Sequence, residues 1–251
     1  MTRCHRGARR VALFLIVIFL AGCASPADSL LAPAARPPGS PVVVALGDSV
    51  PAGTACGCTP FPDLYAQMLS PSAVSLNLAQ PGFTTTDVQE QLADGGVRDH
   101  LSSATVVLLM AGANDMAEVF GDGDAAYLST ARRIEAVTTD VVGTIRREYS
   151  PAVTVVVLGY WNVLKDGAVG LATYGPAGLR EAQQATHYVN DALQQAANRS
   201  GATYLAVDEA FEGTRRRPQD PTDLLTLDGD HPNTAGHRAI ARTIYAAAPG
   251  G

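Results

Sequence analysis

From Pro41 onward, short apolar runs alternate with longer stretches of helical period. Val42-Val43-Val44-Ala45-Leu46 contains no polar residue and ends at Gly47, the pattern of a strand covered on both faces. Similar strand candidates lie at 74–78, 105–110, 153–158 and 203–207. Between them the spacing predicts helices near 61–70, 85–93, 124–149, 178–199 and 234–247, with Thr234 placed like an N-cap for the last. Strand–helix alternation requires right-handed crossovers and a sheet sandwiched by helices. The expectation is one α/β domain over 41–251, three α/β/α layers around a five-stranded parallel sheet, with no internal repeat.

The N-terminus reads differently. Residues 1–10 are basic, 11–20 are unbroken apolar and small residues follow, the layout of a secretory signal. The apolar run is shorter than the roughly 20 residues that a membrane-spanning helix needs. Leu20-Ala21-Gly22-Cys23 resembles the lipobox of bacterial lipoproteins. That resemblance implies removal of residues 1–22 and a diacylglycerol on the Cys23 sulfur. Each buried acyl methylene would add about 0.8 kcal/mol of membrane affinity. A soluble secreted protein is the alternative. Residues 23–40, rich in Ala, Pro and Ser without period, read as a tether from the anchor to the folded domain.

Composition narrows the function classes. A chain of 251 residues, 47% hydrophobic and 17% charged, can bury a substantial core, which excludes wholesale disorder. Four Cys are too few for a disulfide-built scaffold. The formal charge is −6, and the first 22 residues hold four Arg and no acid, leaving −10 on the remainder. An acidic domain argues against a nucleic-acid partner.

In parallel sheets, ligands sit beyond the carboxyl ends of the strands. The residues after each apolar run are therefore the informative ones: Gly47-Asp48-Ser49, Gln80-Pro81-Gly82, Gly112-Ala113-Asn114-Asp115 and Tyr160-Trp161-Asn162. The loop after the last strand holds Asp228-Gly229-Asp230-His231. Acyl transfer needs a nucleophile, a base, a group that orients the base, and donors for the oxyanion. Ser49 supplies a hydroxyl at a turn forced by Gly47 and Pro51. His231 is the best base, and Asp228, three residues earlier, can fold back onto its Nδ1–H. The donors would be the Ser49 and Gly82 amides and the Asn114 side chain. Nothing in this set calls for a cofactor or a metal.

These four blocks, in order and each behind a predicted strand, resemble those of the SGNH (GDSL) hydrolases. The resemblance spans residues 47–233 and implies a flavodoxin-like α/β/α fold acting on esters, thioesters or acetylated sugars. Carried over by residue, it implies Ser49 as nucleophile, Gly82 and Asn114 in the oxyanion hole, and Asp228 and His231 completing the triad. Val50 replaces the Leu or aromatic usual in the first block, and Pro81 restricts the turn before Gly82. The Gly-x-Ser-x-Gly elbow of α/β-hydrolases is absent, and no insertion resembles a lipase lid.

Other residues take blander readings. Asp48 is expected to hydrogen-bond its own turn, Asp115 to cap the segment after it, and Asp230 to point away from His231. His100, His187 and His237 fall on helices or their ends. Asp228, Asp230 and His231 have acceptable metal-ligand chemistry but no supporting cluster, and Gly121-Asp122-Gly123-Asp124 lacks EF-hand spacing. In an exported protein, Cys56-Gly57-Cys58 would close a small, strained and reducible disulfide that stiffens loop 52–60; two free thiols are the alternative. Tyr160, Trp161 and Tyr174 could stack on a sugar, line an acyl pocket, or merely cover the sheet end.

The reading is a monomeric, lipid-anchored extracytoplasmic serine esterase without cofactor. Its substrate would be a small-molecule, lipid or acetylated-glycan ester, with short acyl or acetyl groups favoured by the missing lid. Activity should fall in acid as His231 protonates. A non-catalytic ligand-binding lipoprotein and a metal-dependent phosphoesterase are the rival readings.

Overall fold

The apolar runs become five parallel strands: β1 (Val42–Gly47), β2 (Val74–Asn77), β3 (Val106–Met110), β4 (Thr154–Leu158) and β5 (Thr203–Leu205), in the order β2-β1-β3-β4-β5. The computed structural model describes residues 39–214 and 216–247. All of them belong to the second of the two units into which the chain divides, Met1–Ala35 and Arg36–Gly251. The expected signal at 1–22, Cys23 and the tether up to residue 38 lie outside the described residues.

Every residue of β1 is buried, as are all but the first residues of β3 and β4. Registers such as Val44↔Leu76 and Val44↔Val107 place β1 between β2 and β3. Side chains such as Leu46, Leu108, Met110 and Leu158 are fully buried, each contributing roughly 1.5–3 kcal/mol relative to exposure.

The helices are α1 (Ser49–Ala52), α2 (Phe61–Leu69), α3 (Thr85–Gln91), α4 (Gly95–Ser102), α5 (Ala113–Ala117), α6 (Asp124–Thr144), α7 (Gly167–Ser200), α8 (Asp208–Glu212) and α9 (Thr234–Ala247). On the two sides of the sheet, α2 packs with α9, and α6 packs with α3 and α7. A two-stranded antiparallel ribbon, β6 (Gly213–Thr214) and β7 (Arg217–Pro218), follows α8.

Three departures from expectation have local causes. The short helices α1, α4, α5 and α8 are too brief for a period to show, and α4 opens on Gly95-Gly96. Its start is fixed by Asp94, whose carboxylate accepts from the Gly96 and Val97 N–H groups at 2.8 and 3.1 Å. Second, α7 begins at Gly167 rather than near 178, because Gly175 (φ 65) interrupts it and Pro176 restarts it. Third, the cap of α9 is Asn233, not Thr234: its side-chain oxygen accepts from Ala235 N at 2.8 Å and Gly236 N at 3.2 Å.

One glycine aims the chain into the site. Gly47 ends β1 at φ 139, and a Cβ there would lie 1.9 Å from the Met110 carbonyl oxygen. No other residue allows that approach, and the next amide, Asp48 N–H, donates to the same oxygen at 3.1 Å.

Candidate active site

Ser49 is the first residue of α1, directly after this turn. Asp48 caps the helix: its Oδ1 accepts from Val50 N–H at 3.0 Å, and its Oδ2 accepts from the Tyr160 hydroxyl at 2.5 Å. Both side chains are buried. Burial pushes the Asp48 carboxyl up to about 6, against the lowering effect of the Tyr160 and Val50 hydrogen bonds. Tyr160 is pushed far above the usual phenol range by burial and by the adjacent carboxylate. Asp48 therefore bonds its own turn, as expected, and is also tied to the end of β4.

The acid–imidazole pair sits in a tightly folded loop. Asp228 Oδ2 is 2.8 Å from His231 Nδ1. Its Oδ1 accepts from Thr226 Oγ1 at 2.5 Å, Asp230 N–H at 2.9 Å and His231 N–H at 3.1 Å. Burial raises the Asp228 carboxyl, but these four donors outweigh it and hold the group well below the ordinary carboxylate range. The loop is clipped at its base by Thr226 N–H to His231 O at 2.8 Å. Asn233 secures it further, donating from Nδ2 to the Asp223 and Leu225 carbonyls at 2.9 Å each. Gly229 (φ 72) passes so close to α7 that a Cβ would lie 2.4 Å from Val169 Cβ.

The oxyanion candidates come from two neighbouring turns. Asn114, in α5, donates from Nδ2 to the Phe83 carbonyl at 2.9 Å, and its second amide hydrogen has no partner among the described residues. Gly82 (φ 83) lies on the exposed turn before Phe83, and its N–H makes no hydrogen bond among the described residues. That turn is tied to the sheet by Gln80 N–H to Gly47 O at 2.9 Å. Asp115 does not cap its own segment. Its buried carboxylate reaches across to α3, accepting from Thr85 N–H and Thr85 Oγ1 at 2.8 Å each. Burial raises this carboxyl too, against the two Thr85 bonds.

Ser49, Asn114 and His231 face one cavity of about 80 Å³, walled also by Val50, Ala113, Tyr160, Asn162 and Asp230. Gly82 stands outside that wall. Asp230 lines the cavity but makes no bond to the His231 ring, and burial raises its carboxyl despite the opposing effect of His231. Of the three aromatics considered for substrate contact, Tyr160 reaches this cavity. Trp161 is buried and stacked on Phe211 with centroids 4.0 Å apart, and it lines a different cavity with Asp208 and Glu212. Tyr174 packs edge-on against Phe120 at 5.5 Å.

Several supporting groups escaped the sequence reading. Asn190 clamps the Tyr160 backbone, accepting from its N–H and donating to its carbonyl at 2.8 Å each. Thr186 accepts from Val163 N–H at 3.0 Å and donates to Asn162 Oδ1 at 3.2 Å. Both lie on α7 in a polar stretch, Gln183 to Asp191, where nothing local distinguishes them from surface residues. The Cys56 and Cys58 sulfurs meet, with Cα atoms 5.1 Å apart, and a ring nitrogen of His237 lies beside them.

This fold and this edge of the sheet define a hydrolase of the SGNH class. Residues 45–239 match the GDSL-like lipase/acylhydrolase family, and the chain belongs to that family of ester hydrolases. Among solved structures it resembles the lipase Lip_vut3 from a goat rumen metagenome (19% identity, 84% of this chain and 99% of that one, TM-score 0.69). An extracellular lipase from Streptomyces rimosus is also similar (24% identity, 83% and 100% covered, TM-score 0.62). So is the acetylxylan esterase Axe2 from Geobacillus stearothermophilus (19% identity, 83% and 94% covered, TM-score 0.59). No curated protein sequence matches the chain.

Proposed function

We propose that this chain is an extracytoplasmic serine esterase that cleaves short acyl or acetyl esters through an acyl-enzyme. The observation that carries the reading is the Asp228–His231 pair, 2.8 Å apart, with His231 in the wall of the cavity that Ser49 and Asn114 share. Ser49 Oγ attacks the ester carbonyl while His231 Nε2 takes its proton. Asp228 holds Nδ1–H and stabilises the imidazolium. The developing oxyanion meets the Ser49 amide and the second Asn114 amide hydrogen, and the Gly82 amide, on the exposed turn beside this cavity, is the third donor. His231 then protonates the leaving alcohol, and water, activated by the same imidazole, releases the acid.

The cavity volume of about 80 Å³ favours small acyl groups over long chains. Solved structures of similar fold include one named a lipase and one named an acetylxylan esterase. A small-molecule, lipid or acetylated-glycan ester is therefore the substrate class. Residues 1–22 act as a signal, Cys23 carries the lipid anchor, and residues 23–40 tether the monomeric domain to the outer face of the membrane. In that oxidising compartment Cys56 and Cys58 form a disulfide.

The test is turnover of p-nitrophenyl esters of increasing chain length by the chain and by Ser49→Ala. The reading expects hydrolysis that is fastest at acetyl to butyryl and absent from the variant. Equal turnover by both proteins would reject it, and no turnover by either would favour the ligand-binding alternative.

A further inference from the structure

The loop between α1 and α2 carries a second chemical grouping, separate from Ser49. Cys56 and Cys58 are two positions apart, and their sulfurs and a ring nitrogen of His237 all lie within 4.8 Å of one another. His237 is fully buried. Its Nδ1 accepts from Phe61 N–H at 3.2 Å, and its Nε2 has no partner among the described residues. Ala55, Gly57 and Thr59 are exposed and the two cysteines half-buried, so a thiol from solution can reach the pair. Ala55, at φ 60, is the one non-glycine residue with a left-handed backbone among the described residues, a strained turn of the kind that clusters at functional sites.

The hydrogen bond from Phe61 fixes the tautomer: with Nδ1 accepting, the proton of a neutral ring sits on Nε2. Burial holds the ring neutral, pushing His237 down to about 4. With its Nδ1 lone pair taken by the Phe61 N–H, the imidazole has only its Nε2–H to offer the sulfurs beside it, a donor and not the lone pair a metal would need. A disulfide sulfur is a poor acceptor, whereas a thiolate is a strong one. The buried donor, costly while unpartnered, gains its acceptor only when the sulfur–sulfur bond opens. That preference stabilises the reduced form over the oxidised one.

We propose that Cys56-Gly57-Cys58 is a thiol–disulfide exchange centre that accepts electrons from a dithiol, with His237 receiving the thiolate that leaves. A thiolate of the dithiol attacks one sulfur of the pair, forming a mixed disulfide. The Cys56–Cys58 bond breaks, and its electron pair goes to the other sulfur, which becomes a thiolate bound by His237 Nε2–H. The second thiolate of the dithiol then attacks the mixed disulfide at its own side and frees the remaining cysteine. The dithiol leaves as a disulfide, oxidised by two electrons, and Cys56 and Cys58 hold those electrons, taking up from water the two protons that the dithiol released. This inference rests on the disulfide proposed above and is independent of ester cleavage at Ser49.

The test uses the full chain carrying Cys4→Ser and Cys23→Ser, equilibrated in glutathione redox buffers, with the state of Cys56 and Cys58 read by alkylation and peptide mass mapping. The pair should be half-reduced in mixtures that leave structural disulfides intact. His237→Phe should make reduction about tenfold harder, roughly 30 mV for two electrons, whereas His237→Gln, which keeps a donor, should retain most of the wild-type value. Because a buried substitution can unfold the protein, the unsubstituted pair is also measured in urea. There His237 is separated from the sulfurs, and reduction should be about tenfold less favourable than in the folded state. A pair that stays oxidised throughout, or that titrates identically folded and unfolded, would overturn the proposal.

Discussion

The Tyr160 hydroxyl donates to Asp48 Oδ2 at 2.5 Å, joining the end of β4 to the end of β1 one residue before Ser49. This bond gives a buried carboxylate its side-chain donor beside the candidate nucleophile. Asp48 is raised to about 6 by burial, so its ionisation opposes folding and the stability tied to its protonated form is lost as pH rises through about 6. Tyr160→Phe removes the donor that tempers this cost. A hydrogen bond to a charged group contributes roughly 1.5–3 kcal/mol. Thermal melts should therefore show a larger loss for Tyr160→Phe at pH 8 than at pH 5; equal losses would contradict the assignment.

Asp228 holds the His231 ring and also three other donors of its loop. Asp228→Asn keeps the shape but favours the wrong imidazole tautomer, which lowers kcat by about 10⁴-fold in a Ser-His-Asp triad. Steady-state hydrolysis of p-nitrophenyl acetate should show a fall of at least about a thousandfold, with circular dichroism unchanged. A variant that retains a tenth of the activity would remove Asp228 from the triad.

Asn114 makes one side-chain hydrogen bond among the described residues, to the Phe83 carbonyl, and lines the cavity. Loss of an oxyanion donor costs about 10²–10³-fold in kcat. Asn114→Ala should show that fall in kcat with KM nearly unchanged, because the interaction strengthens only in the transition state. A change confined to KM would assign Asn114 to ground-state binding instead.

Glu212 lines the cavity behind Trp161 and is pushed up to about 7 by burial and by the nearby charges of Asp166 and Asp208. A raised carboxyl favours folding while protonated and loses that contribution as pH rises through about 7. Glu212→Gln should raise the Tm at pH 8 and leave it nearly unchanged at pH 5. A Tm gain of the same size at both pH values would contradict the shift.

How much of this was legible in the sequence followed from how local each relationship is. β1, β3 and β4 showed in the sequence because strands covered on both faces have almost no polar residues. Asp228 and His231 could be paired beforehand because they stand three positions apart in one loop. The Tyr160–Asp48 bond spans 112 positions and left no trace in either segment. The aromatics 160 and 161 could not be sorted for a related reason. Successive side chains of an extended segment point opposite ways, so Tyr160 enters the cavity lined by Ser49 and His231 while Trp161 turns to Phe211. His237 looked like an ordinary helical residue, because its bond to Phe61 reaches across 176 positions.

The central claim is that Ser49 is an activated nucleophile served by His231. Fluorophosphonate labelling of the chain, followed by mass-spectrometric mapping of the adduct, tests it most directly. The account predicts one modified residue, Ser49, with labelling abolished in Ser49→Ala and strongly slowed in His231→Ala. An adduct on another serine, or undiminished labelling without His231, would contradict it.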